Sequence, residues 1–328
     1  MGEANGRLVV DNSILSATAK CSTYAYVRYA CGLNTKDESL ALRAGSAIHV
    51  GFAVWLSGGK PAEAIRAMSE DYEHAVELYL RKVERERLSA DDRRFQPEWV
   101  EAIFTQYLTR YEKKWPFKVI EPGSAERPIS APFEVTIPSG KEVTYVARLD
   151  AIVRKWESGG KWLMDHKSTK KVSEWWEAKQ KTSSQFSGQM WLARTMPLDA
   201  EGVVLNVIEV PEPHRSVNKC RDHGVSYQEC SIRHAGSTFI YVTRSEAELE
   251  AWVFSAKKLI RKYDRLLARA EEMGVAGVVG VPMEGRFNEG CTFCSMKEWC
   301  RLGRNVRKPA VRATFVSDVW DPLKETDA

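Results

Sequence analysis

Two acidic residues stand within mostly apolar strand patterns, and this arrangement constrains the fold more than any other feature of the sequence. Residues 143–154 and 161–167 both have the pattern of β-strands, and the turn-forming segment 157–160 separates them. Asp150 lies in the first strand and Asp165 in the second. Because a short turn joins the two strands, we expect them to pair in an antiparallel hairpin, so that both carboxylates could reach one cation.

Lys167 adds a base to this pair of acids. Side chains alternate between the two faces of a strand, so Asp165 and Lys167 should point the same way. Two nearly buried carboxylates repel each other unless a cation neutralises them, and Mg²⁺ or Mn²⁺ prefers such oxygen ligands. Beside a phosphodiester, this ion would polarise the phosphate and acidify a bound water, while Lys167 orients the water or offsets growing charge. A structural alternative stays open, in which Asp165 and Lys167 form a simple salt bridge and Asp150 pairs with a nearby arginine.

A histidine lies on the inward stripe of a predicted helix, residues 40–56. The residues of this stripe, spaced by three and four positions, are Leu42, Gly45, His49, Phe52 and Leu56. This spacing points His49 toward the core. A core histidine is more often a hydrogen-bonded structural residue than a metal ligand, so the helix pattern alone leaves both roles open.

The order of the predicted elements indicates an α/β core with helical additions. Helices are predicted in the first third of the chain, the first of them capped by Ser13, over residues 14–30, 40–56, 61–87 and 97–114. A meander of three strands follows, over residues 129–137, 143–154 and 161–167. The remaining elements are a helix, two strands separated by the long polar loop 211–237, and a final helix, over residues 173–195, 203–210, 238–242 and 245–273.

In residue type, order and approximate spacing, these features resemble the RecB-type branch of the PD-(D/E)XK nuclease superfamily. The residues that carry the resemblance are Gly45-x-x-x-His49, Asp150, Asp165-His166-Lys167 and Gln185. The resemblance implies a restriction-endonuclease-like α/β core with a mixed central sheet. It also implies a nuclease that hydrolyses DNA with Mg²⁺ or Mn²⁺ and leaves a 5′-phosphate.

The same resemblance assigns roles to these residues. The side chains implied to bind the catalytic metal ion are those of His49, Asp150 and Asp165. The main-chain carbonyl of His166 is implied to be a further ligand. Lys167 is implied to be catalytic together with the two acids, and Gln185 to support the site from the following helix. The sequence departs from the family at Gln189, where the family often has Tyr.

Three cysteines near the C-terminus form a second constellation. Cys291, Cys294 and Cys300 have the spacing C-x₂-C-x₅-C. Thiolates this close repel one another unless a metal neutralises their negative charge. Tetrahedral coordination by sulfur alone needs a fourth thiolate. The candidates for it are Cys21, Cys31, Cys220 and Cys230. Either Zn²⁺ or an iron–sulfur cluster would satisfy the pattern.

Resemblance favours Cys21 as the fourth thiolate. The stretch around Cys21, residues 13–29, is similar to the N-terminal helix of iron–sulfur members of the RecB-type family, which include CRISPR-associated exonucleases and helicase–nuclease subunits. The similarity implies a [4Fe–4S] cluster held by Cys21, Cys291, Cys294 and Cys300. We interpret Cys31 as a core or helix-end residue. Cys220 and Cys230 could form a second metal site with His214, His223 and His234. Their spacing fits no established pattern, so we interpret them as loop residues.

Basic and aromatic residues follow the last strand of the meander, where an acidic DNA backbone could lie. The lysines that could line a phosphate path are Lys170, Lys171, Lys179 and Lys181. Trp175 and Trp176 could stack on unpaired bases, although tryptophan at such positions is more often packed. A basic cluster at residues 301–312 could touch DNA or form a solvated tail. The formal net charge of +4 permits a nucleic-acid partner without demanding one.

Together these features predict a metal-dependent DNA nuclease, specifically an exonuclease acting on DNA ends or single strands. The predicted regions are a helical part with Cys21 and His49 (1–116), a nuclease core (117–245), and a C-terminal helix with the cysteine cluster and basic tail (246–328). One alternative is a non-catalytic DNA-binding or assembly subunit that keeps the nuclease scaffold. Another is a zinc-stapled α/β enzyme of a different kind.

The sequence also bears on partners and location. It contains no Gly-x₄-Gly-Lys-Ser/Thr nucleotide-binding motif, so a helicase, recombination or CRISPR-type protein would be a separate partner. An oligomer is compatible with the sequence. No apolar run of membrane-spanning length and no signal-peptide pattern are present, so we expect an intracellular, cytoplasmic protein.

Overall fold

The protein combines β-sheets with layers of helices. The computed structural model describes residues 6–35, 39–80, 94–120, 127–213, 219–287, 290–292, 294–302 and 304–323. The last part of the predicted third helix, residues 81–87, lies outside these ranges. No helix within them is long and apolar enough to cross a membrane. The division of the chain into three regions stays a prediction.

Strands and helices alternate through most of the described chain. The strands are β1 (Arg7–Asp11), β2 (Leu33–Thr35), β3 (Phe117–Val119), β4 (Arg127–Pro132), β5 (Glu142–Leu149), β6 (Ala151–Lys155), β7 (Lys161–Thr169), β8 (Gly202–Glu209), β9 (Ser237–Val242) and β10 (Phe315–Ser317). The α-helices are α1 (Asn12–Lys20), α2 (Ser22–Ala25), α3 (Leu40–Leu56), α4 (Pro61–Leu80), α5 (Pro97–Tyr111), α6 (Glu174–Lys181), α7 (Ser184–Thr195), α8 (Tyr227–Arg233), α9 (Glu246–Met273), α10 (Lys297–Arg301) and α11 (Arg304–Thr314). A π-helical turn, Tyr26–Ala30, continues α2.

The central sheet is mixed, as expected, with the strand order β3-β6-β7-β8-β9. Strands β7 and β8 are parallel, whereas the other neighbours are antiparallel. Parallel neighbours need a crossover connection, which α6 and α7 supply. Strand β8 is buried along almost its whole length, because apolar clusters cover both faces of the sheet at this strand.

The two faces of β7 meet different parts of the core. Leu163 points toward α7 and packs in one apolar cluster with Phe186. Met164 points the opposite way and packs in another cluster with Leu56 at the end of α3. The alternation of the strand therefore directs odd-numbered residues of β7 toward α7 and even-numbered residues toward α3.

The chain bends at Asp150, so the prediction of one continuous strand over residues 143–154 is wrong. β5 belongs to a second sheet, of order β1-β5-β4, and only β6 pairs with β7. The hairpin register places Ala151 opposite Met164. The break is hidden in the sequence because β5 and β6 both carry buried apolar residues. The predicted hairpin is confirmed for β6 and β7, and β1 has no counterpart among the predicted elements.

The first predicted helix, residues 14–30, is interrupted in the structure. Its N-cap is Asp11 rather than Ser13, because Asp11 Oδ1 accepts a hydrogen bond from the Ile14 N–H at 2.8 Å. The helix stops at Cys21, whose backbone is extended, and a second short helix begins directly after it. The break turns Cys21 out of the regular helix.

Two other helix predictions have different outcomes. The helix predicted over residues 173–195 divides into α6 and α7, and the side chain of Ser183 caps α7. Serine competes for backbone hydrogen bonds and favours such caps over helix interiors. The helix predicted over residues 245–273 is confirmed as α9, with a capping box between Ser245 and Glu248.

The C-terminal segments return to the start of the chain. β10 pairs with β2 in an antiparallel two-stranded sheet. Arg28 donates to the main-chain oxygen of Asp318 at 2.6 Å and to its carboxylate at 3.0 Å. Glu284 accepts from the N–H and the hydroxyl of Ser22 at 2.8 and 2.7 Å. These contacts bring residues near Cys21 and residues near position 290 together.

Candidate active site

Asp165 and Lys167 lie side by side on the α7 face of β7. Lys167 Nζ is 2.5 Å from Asp165 Oδ2, and Asp165 is only 3% exposed. The alternation of the strand accounts for their shared face. Gln185, in the first turn of α7, donates from Nε2 to the other oxygen, Asp165 Oδ1, at 2.6 Å. The carboxylate of Asp165 therefore has a cation at one oxygen and an amide donor at the other.

Gln189, one turn further along α7, approaches the same carboxylate. Its Nε2 lies 3.4 Å from Asp165 Oδ1 and 3.5 Å from the main-chain oxygen of Arg148. Both distances are at the long limit of hydrogen bonding. Its buried Oε1 has no hydrogen-bond donor among the described residues. Gln189 is therefore close to the site but less firmly engaged with Asp165 than Gln185 is.

Asp150 lies at the bend between β5 and β6, directly beside β7. The main-chain N–H of His166 donates to Asp150 Oδ2 at 2.5 Å, and His49 Nδ1 lies 3.3 Å from Asp150 Oδ1. His49 reaches the acid from the face of α3 that carries the buried Phe52 and Leu56, whereas Leu42, predicted on the same stripe, is 72% exposed. Arg154, one arginine that could have paired with Asp150, instead donates to the Gly159 carbonyl at 3.1 Å. The bend thus places the second carboxylate against the backbone of the strand that carries the first.

Burial and mutual contact shift the pKa values of this group. Burial lowers the pKa of His49, but the adjacent charge of Asp150 outweighs it and raises that pKa to about 9. Burial raises the pKa of Asp150, but the charge and hydrogen bond of His49 outweigh burial and hold this pKa well below its usual range. Burial and the charge of Asp150 raise the pKa of Asp165 despite Lys167. Burial opposes the charged form of Lys167, but Asp165 raises its pKa above the usual value.

His166 contributes its main chain to this site and its side chain to the opposite layer. Its ring stacks on Phe52 with centroids 4.0 Å apart, and burial lowers its pKa to about 3. Asn206 Nδ2 lies 2.9 Å from His166 Nδ1, and the Tyr107 hydroxyl donates to Asn206 Oδ1 at 2.6 Å. A chain of hydrogen bonds from α5 through β8 therefore fixes the ring of the residue between Asp165 and Lys167.

Asn206 and Tyr107 were not predicted as part of this arrangement. Asn206 had a visible signal, because it is a polar residue in the middle of β8 with apolar residues on both sides. Tyr107 had none, since an aromatic residue on a helix is an ordinary core residue. Its contact with Asn206 joins positions 99 residues apart, which only the tertiary structure reveals.

The donor set fits a hard divalent cation. Two carboxylates, one imidazole and one main-chain carbonyl come from His49, Asp150, Asp165 and His166. Asp165 Oδ2 is buried and has no hydrogen bond of suitable geometry, although Lys167 is close. The charge of Asp150 raises the pKa of Asp165, so the two acids are near enough to repel each other. A cation between them would relieve this repulsion, and oxygen-rich donors suit Mg²⁺ or Mn²⁺.

The four cysteines predicted to hold a cluster line one pocket. The residues concerned are Cys21, Cys291, Cys294 and Cys300. A Cβ added at Gly285 would lie 3.5 Å from Cys291 Sγ and 3.6 Å from Cys21 Sγ, so a larger side chain there would intrude on the thiols. Burial raises the pKa of Cys294 and raises that of Cys300 to about 11. Arg307 donates to the carbonyls of Cys300 and Leu302, which ties this residue of the predicted basic cluster to the pocket.

Cys31 does not line this pocket and lies at the end of the π-helical turn. Its N–H donates to the Tyr26 carbonyl at 2.8 Å, and burial raises the pKa of its thiol to about 11. These features agree with its interpretation as a helix-end residue.

The residues considered for DNA contact have different environments. Trp175 is 72% exposed, with Lys179 Nζ 5.4 Å from its ring centroid, whereas Trp176 packs against the core. Lys171 is exposed. Two lysines form ion pairs: Lys170 Nζ with Glu212 at 2.6 Å, and Lys181 Nζ with Glu177 at 2.5 Å.

Among the comparisons with known proteins, a match to a family model bears on this site. None of the curated proteins compared with the chain matches it. One solved structure, described as "Crystal structure of SSO0001", is similar with a TM-score of 0.31 and 16% sequence identity, over 63% of this chain and 71% of that one. A family model described as "PD-(D/E)XK nuclease superfamily" matches residues 12–301, which include both acids, Lys167 and all four pocket cysteines. The chain therefore belongs to the PD-(D/E)XK nuclease superfamily.

Proposed function

We propose that the protein is a metal-dependent DNA nuclease of the RecB-type iron–sulfur branch, and specifically an exonuclease that hydrolyses phosphodiester bonds at DNA ends or in single strands. The observation that carries this proposal is the environment of Asp165. This buried carboxylate contacts Lys167 through one oxygen and Gln185 through the other, while a second buried acid, Asp150, lies at the neighbouring bend. Membership of a nuclease superfamily supports hydrolysis as the reaction.

The residues proposed to hold Mg²⁺ or Mn²⁺ are His49, Asp150, Asp165 and, through its main-chain carbonyl, His166. When bound, the ion would polarise the scissile phosphate and make a water molecule more acidic. The neighbouring hydrogen bonds orient the ligands before substrate arrives: the His166 N–H fixes Asp150, and Gln185 fixes Asp165. Pre-oriented ligands lower the cost of assembling the reactive geometry.

Lys167 would act as a cation rather than as a proton acceptor. Its contact with Asp165 raises its pKa above the ordinary value, so it stays protonated at neutral pH. A protonated amine can donate a hydrogen bond to the attacking water or to a phosphate oxygen, and it can offset charge that grows on the phosphate. Its side chain is 26% exposed, which leaves part of it accessible from outside.

DNA would approach along the residues that follow β7. Trp175 offers an exposed aromatic face for stacking on unpaired bases, and Lys171 and Lys179 offer positive charge. Lys170 and Lys181 would exchange their carboxylate partners for phosphates. These contacts involve the backbone and base faces, so we expect weak sequence preference.

The second cofactor in the proposal is a [4Fe–4S] cluster, with Zn²⁺ as the alternative. Its support is the convergence of the four pocket cysteines from opposite ends of the chain. We propose a location inside the cell, where thiols stay reduced. A helicase, recombination protein or CRISPR-type protein would be a separate partner, and self-association is compatible with the proposal.

The test is a cleavage assay on end-labelled single-stranded and double-stranded DNA, with Mg²⁺ or Mn²⁺ added. The parent protein should release products stepwise from an end and leave covalently closed circles intact. Asp165→Asn keeps the size of the side chain but removes its charge, so it should abolish cleavage. Glu157→Gln is the matched control, because Glu157 is an exposed acid in the hairpin turn before β7.

Three outcomes would count against the proposal in different ways. A folded Asp165→Asn protein that cleaves at the parent rate would refute the active-site assignment. Cleavage of closed circles would refute the exonuclease assignment while leaving a nuclease. A parent protein that binds DNA but never cuts with either metal would indicate a non-catalytic subunit.

A further inference from the structure

A compact group of two cysteines and one histidine lies apart from both sites described above, between β8 and β9. The ligand atoms of Cys220, His223 and Cys230 all lie within 4.8 Å of one another. The Nδ1 atom of His223 is 3.5 Å from Cys220 Sγ and 3.2 Å from Cys230 Sγ, and the two sulfur atoms are 3.4 Å apart. Within the described ranges, this is the one group of three or more His, Cys, Asp or Glu side chains spaced so closely.

Local backbone structure brings these side chains together. The N–H of Cys220 donates to the Val225 carbonyl at 2.6 Å, and the N–H of Gly224 donates back to the Cys220 carbonyl at 2.9 Å. These bonds close a tight turn that carries Cys220 and His223. Gly224 has a φ of 69°, a conformation that glycine adopts without strain. Helix α8 begins directly after the turn and presents Cys230 to it.

His234, the residue directly after α8, lies beside this group. It follows Cys230 by four residues, which is about one helical turn. Its ring centroid is 4.3 Å from that of His223. The resulting order, Cys-x₂-His-x₆-Cys-x₃-His, takes two ligands from a turn, one from α8 and one from the residue directly after this helix. Short spacings of this kind within each ligand pair are usual in structural zinc sites.

We propose that Cys220, His223, Cys230 and His234 bind one structural Zn²⁺ ion. Two thiolates and two imidazoles form a tetrahedral sulfur–nitrogen set, which suits Zn²⁺ and not the oxygen-seeking Mg²⁺ or Mn²⁺. The zinc site is therefore chemically distinct from the carboxylate centre. It also differs from the four-cysteine pocket, whose donors are all sulfur. The interpretation of Cys220 and Cys230 as loop residues rested on their unfamiliar spacing, whereas the structure brings both thiols within 3.5 Å of His223 Nδ1.

The zinc would hold a segment that lies at the same edge of the sheet as Lys167. β8 runs parallel to β7 with Val207 opposite Lys167, so the chain leaves β8 near the carboxyl end of β7. α5 anchors the segment on both sides. Trp99 donates to the Pro211 carbonyl at 2.8 Å, and Arg110 donates to Ser237 Oγ at 2.8 Å. The Zn²⁺ ion would then join the turn to α8 between these two anchors.

Metal content of the full-length protein, produced in zinc-supplemented medium, tests the proposal. The parent should contain zinc, and the double variant Cys220→Ser/Cys230→Ser should lose one zinc per chain without losing iron. Cys31→Ser is the matched control, since Cys31 lies outside both cysteine groups, and it should keep its zinc. Equal zinc content in the parent and the double variant would overturn the proposal.

A second variant separates a metal site from a disulfide, which the 3.4 Å separation of the two sulfur atoms could also suggest. His223 is exposed, so His223→Ala should leave the fold intact. With Co²⁺ as the probe after zinc removal, the parent should develop the visible bands of tetrahedral thiolate coordination. His223→Ala should weaken Co²⁺ binding by at least about tenfold. Unchanged Co²⁺ binding in this variant, or a Cys220–Cys230 disulfide in protein purified under reducing conditions, would contradict the zinc site.

Discussion

The carboxylate centre and the four-cysteine pocket both gather residues that are distant in sequence, but they balance charge differently. In the carboxylate centre, protein groups already face each acid: His49 and the His166 N–H for Asp150, Lys167 and Gln185 for Asp165. In the cysteine pocket, burial instead raises the pKa of the Cys294 thiol and raises that of Cys300 to about 11. Four thiolates there would need a bound metal group to neutralise them.

Because of this difference, we expect the carboxylate centre to matter mainly for the cleavage rate and the cysteine pocket mainly for the stability of the fold. The carboxylate centre is organised by strands, a bend and helix α7, so loss of one side chain should change its chemistry more than the fold. The cysteine pocket joins residue 21 to residues 291–300, and it lies where the two ends of the chain meet. Loss of the cluster proposed there should loosen the fold as a whole. Four predictions test this contrast.

The largest effect is expected from Cys21→Ser. Removing one thiolate should release the proposed cluster and open a loop of more than 250 residues. By analogy with disulfides that close long loops, the free energy of unfolding should fall by on the order of 5 kcal/mol. Anaerobic chemical denaturation measures this loss, and visible absorption of the cluster should disappear with it. Cys31→Ser is the control and should keep both stability and colour; an unchanged unfolding midpoint in Cys21→Ser would refute a stabilising clip.

Lys167→Gln should have the largest effect on rate. Replacing the amine with an amide removes the cation beside Asp165, so the rate of cleavage at saturating metal should fall about 100- to 1,000-fold. Single-turnover cleavage of labelled DNA measures this change, and circular dichroism checks the fold. Lys161→Gln, at the other end of β7, is the control and should cleave like the parent. If Lys167→Gln lost activity because the whole protein unfolded, the expectation that the carboxylate centre affects the rate more than the fold would be wrong.

The two glutamines of α7 offer a finer test of the carboxylate centre. Gln185 donates to Asp165 at 2.6 Å, whereas Gln189 is 3.4 Å away from the same oxygen. Gln185→Ala should therefore reduce apparent Mg²⁺ affinity or activity by about 10- to 100-fold, and Gln189→Ala by less. Mg²⁺ titrations of the cleavage rate measure both. Equal effects would mean that Gln189 supports Asp165 as strongly as Gln185 does.

Short-range patterns predicted the parts of the site that depend on them. Asp165 and Lys167 are two residues apart on one strand, so alternation alone assigns their shared face. His49 lies on a predicted helical stripe whose Phe52 and Leu56 are buried although Leu42 is exposed, and the structure places His49 against Asp150. The bend at Asp150 could not be predicted, because the apolar pattern continues through it and the change of sheet depends on pairing with β1, at the start of the chain.

Contacts between distant elements and within irregular segments could not be predicted from sequence patterns either. The Tyr107–Asn206 hydrogen bond depends on how α5 packs against β8. The group formed by Cys220, His223 and Cys230 depends on a turn followed by a short helix, and such segments have no periodicity to reveal which side chains meet. Cys21 was predicted as the fourth thiolate from the family resemblance, because the spacing of the cysteines alone left four candidates for this position.

The smallest expected effect is a pH dependence that His49 gives to the carboxylate centre. Its folded-state pKa of about 9 lies above the ordinary value of 6.5, because the attraction of Asp150 outweighs burial. The protonated imidazole therefore stabilises the magnesium-free protein below pH 6.5, and this contribution should be lost as the pH rises through 9. The charges of Asp165 and Lys167 also act on His49. The pH dependence of stability must therefore be compared between the parent and a variant that lacks His49.

Bound Mg²⁺ should reverse this trend, because the proposed ligand role requires a neutral imidazole and the ion competes with the proton. Thermal unfolding of the parent and of His49→Gln, each measured from pH 6.5 to 9 with and without Mg²⁺, isolates the contribution of His49. The parent should lose stability relative to the variant as the pH rises without Mg²⁺, and it should gain relative to the variant when Mg²⁺ is present. Parallel curves under both conditions would mean that His49 neither holds the extra proton nor binds the ion, and the carboxylate centre would then rest on Asp150 and Asp165 alone.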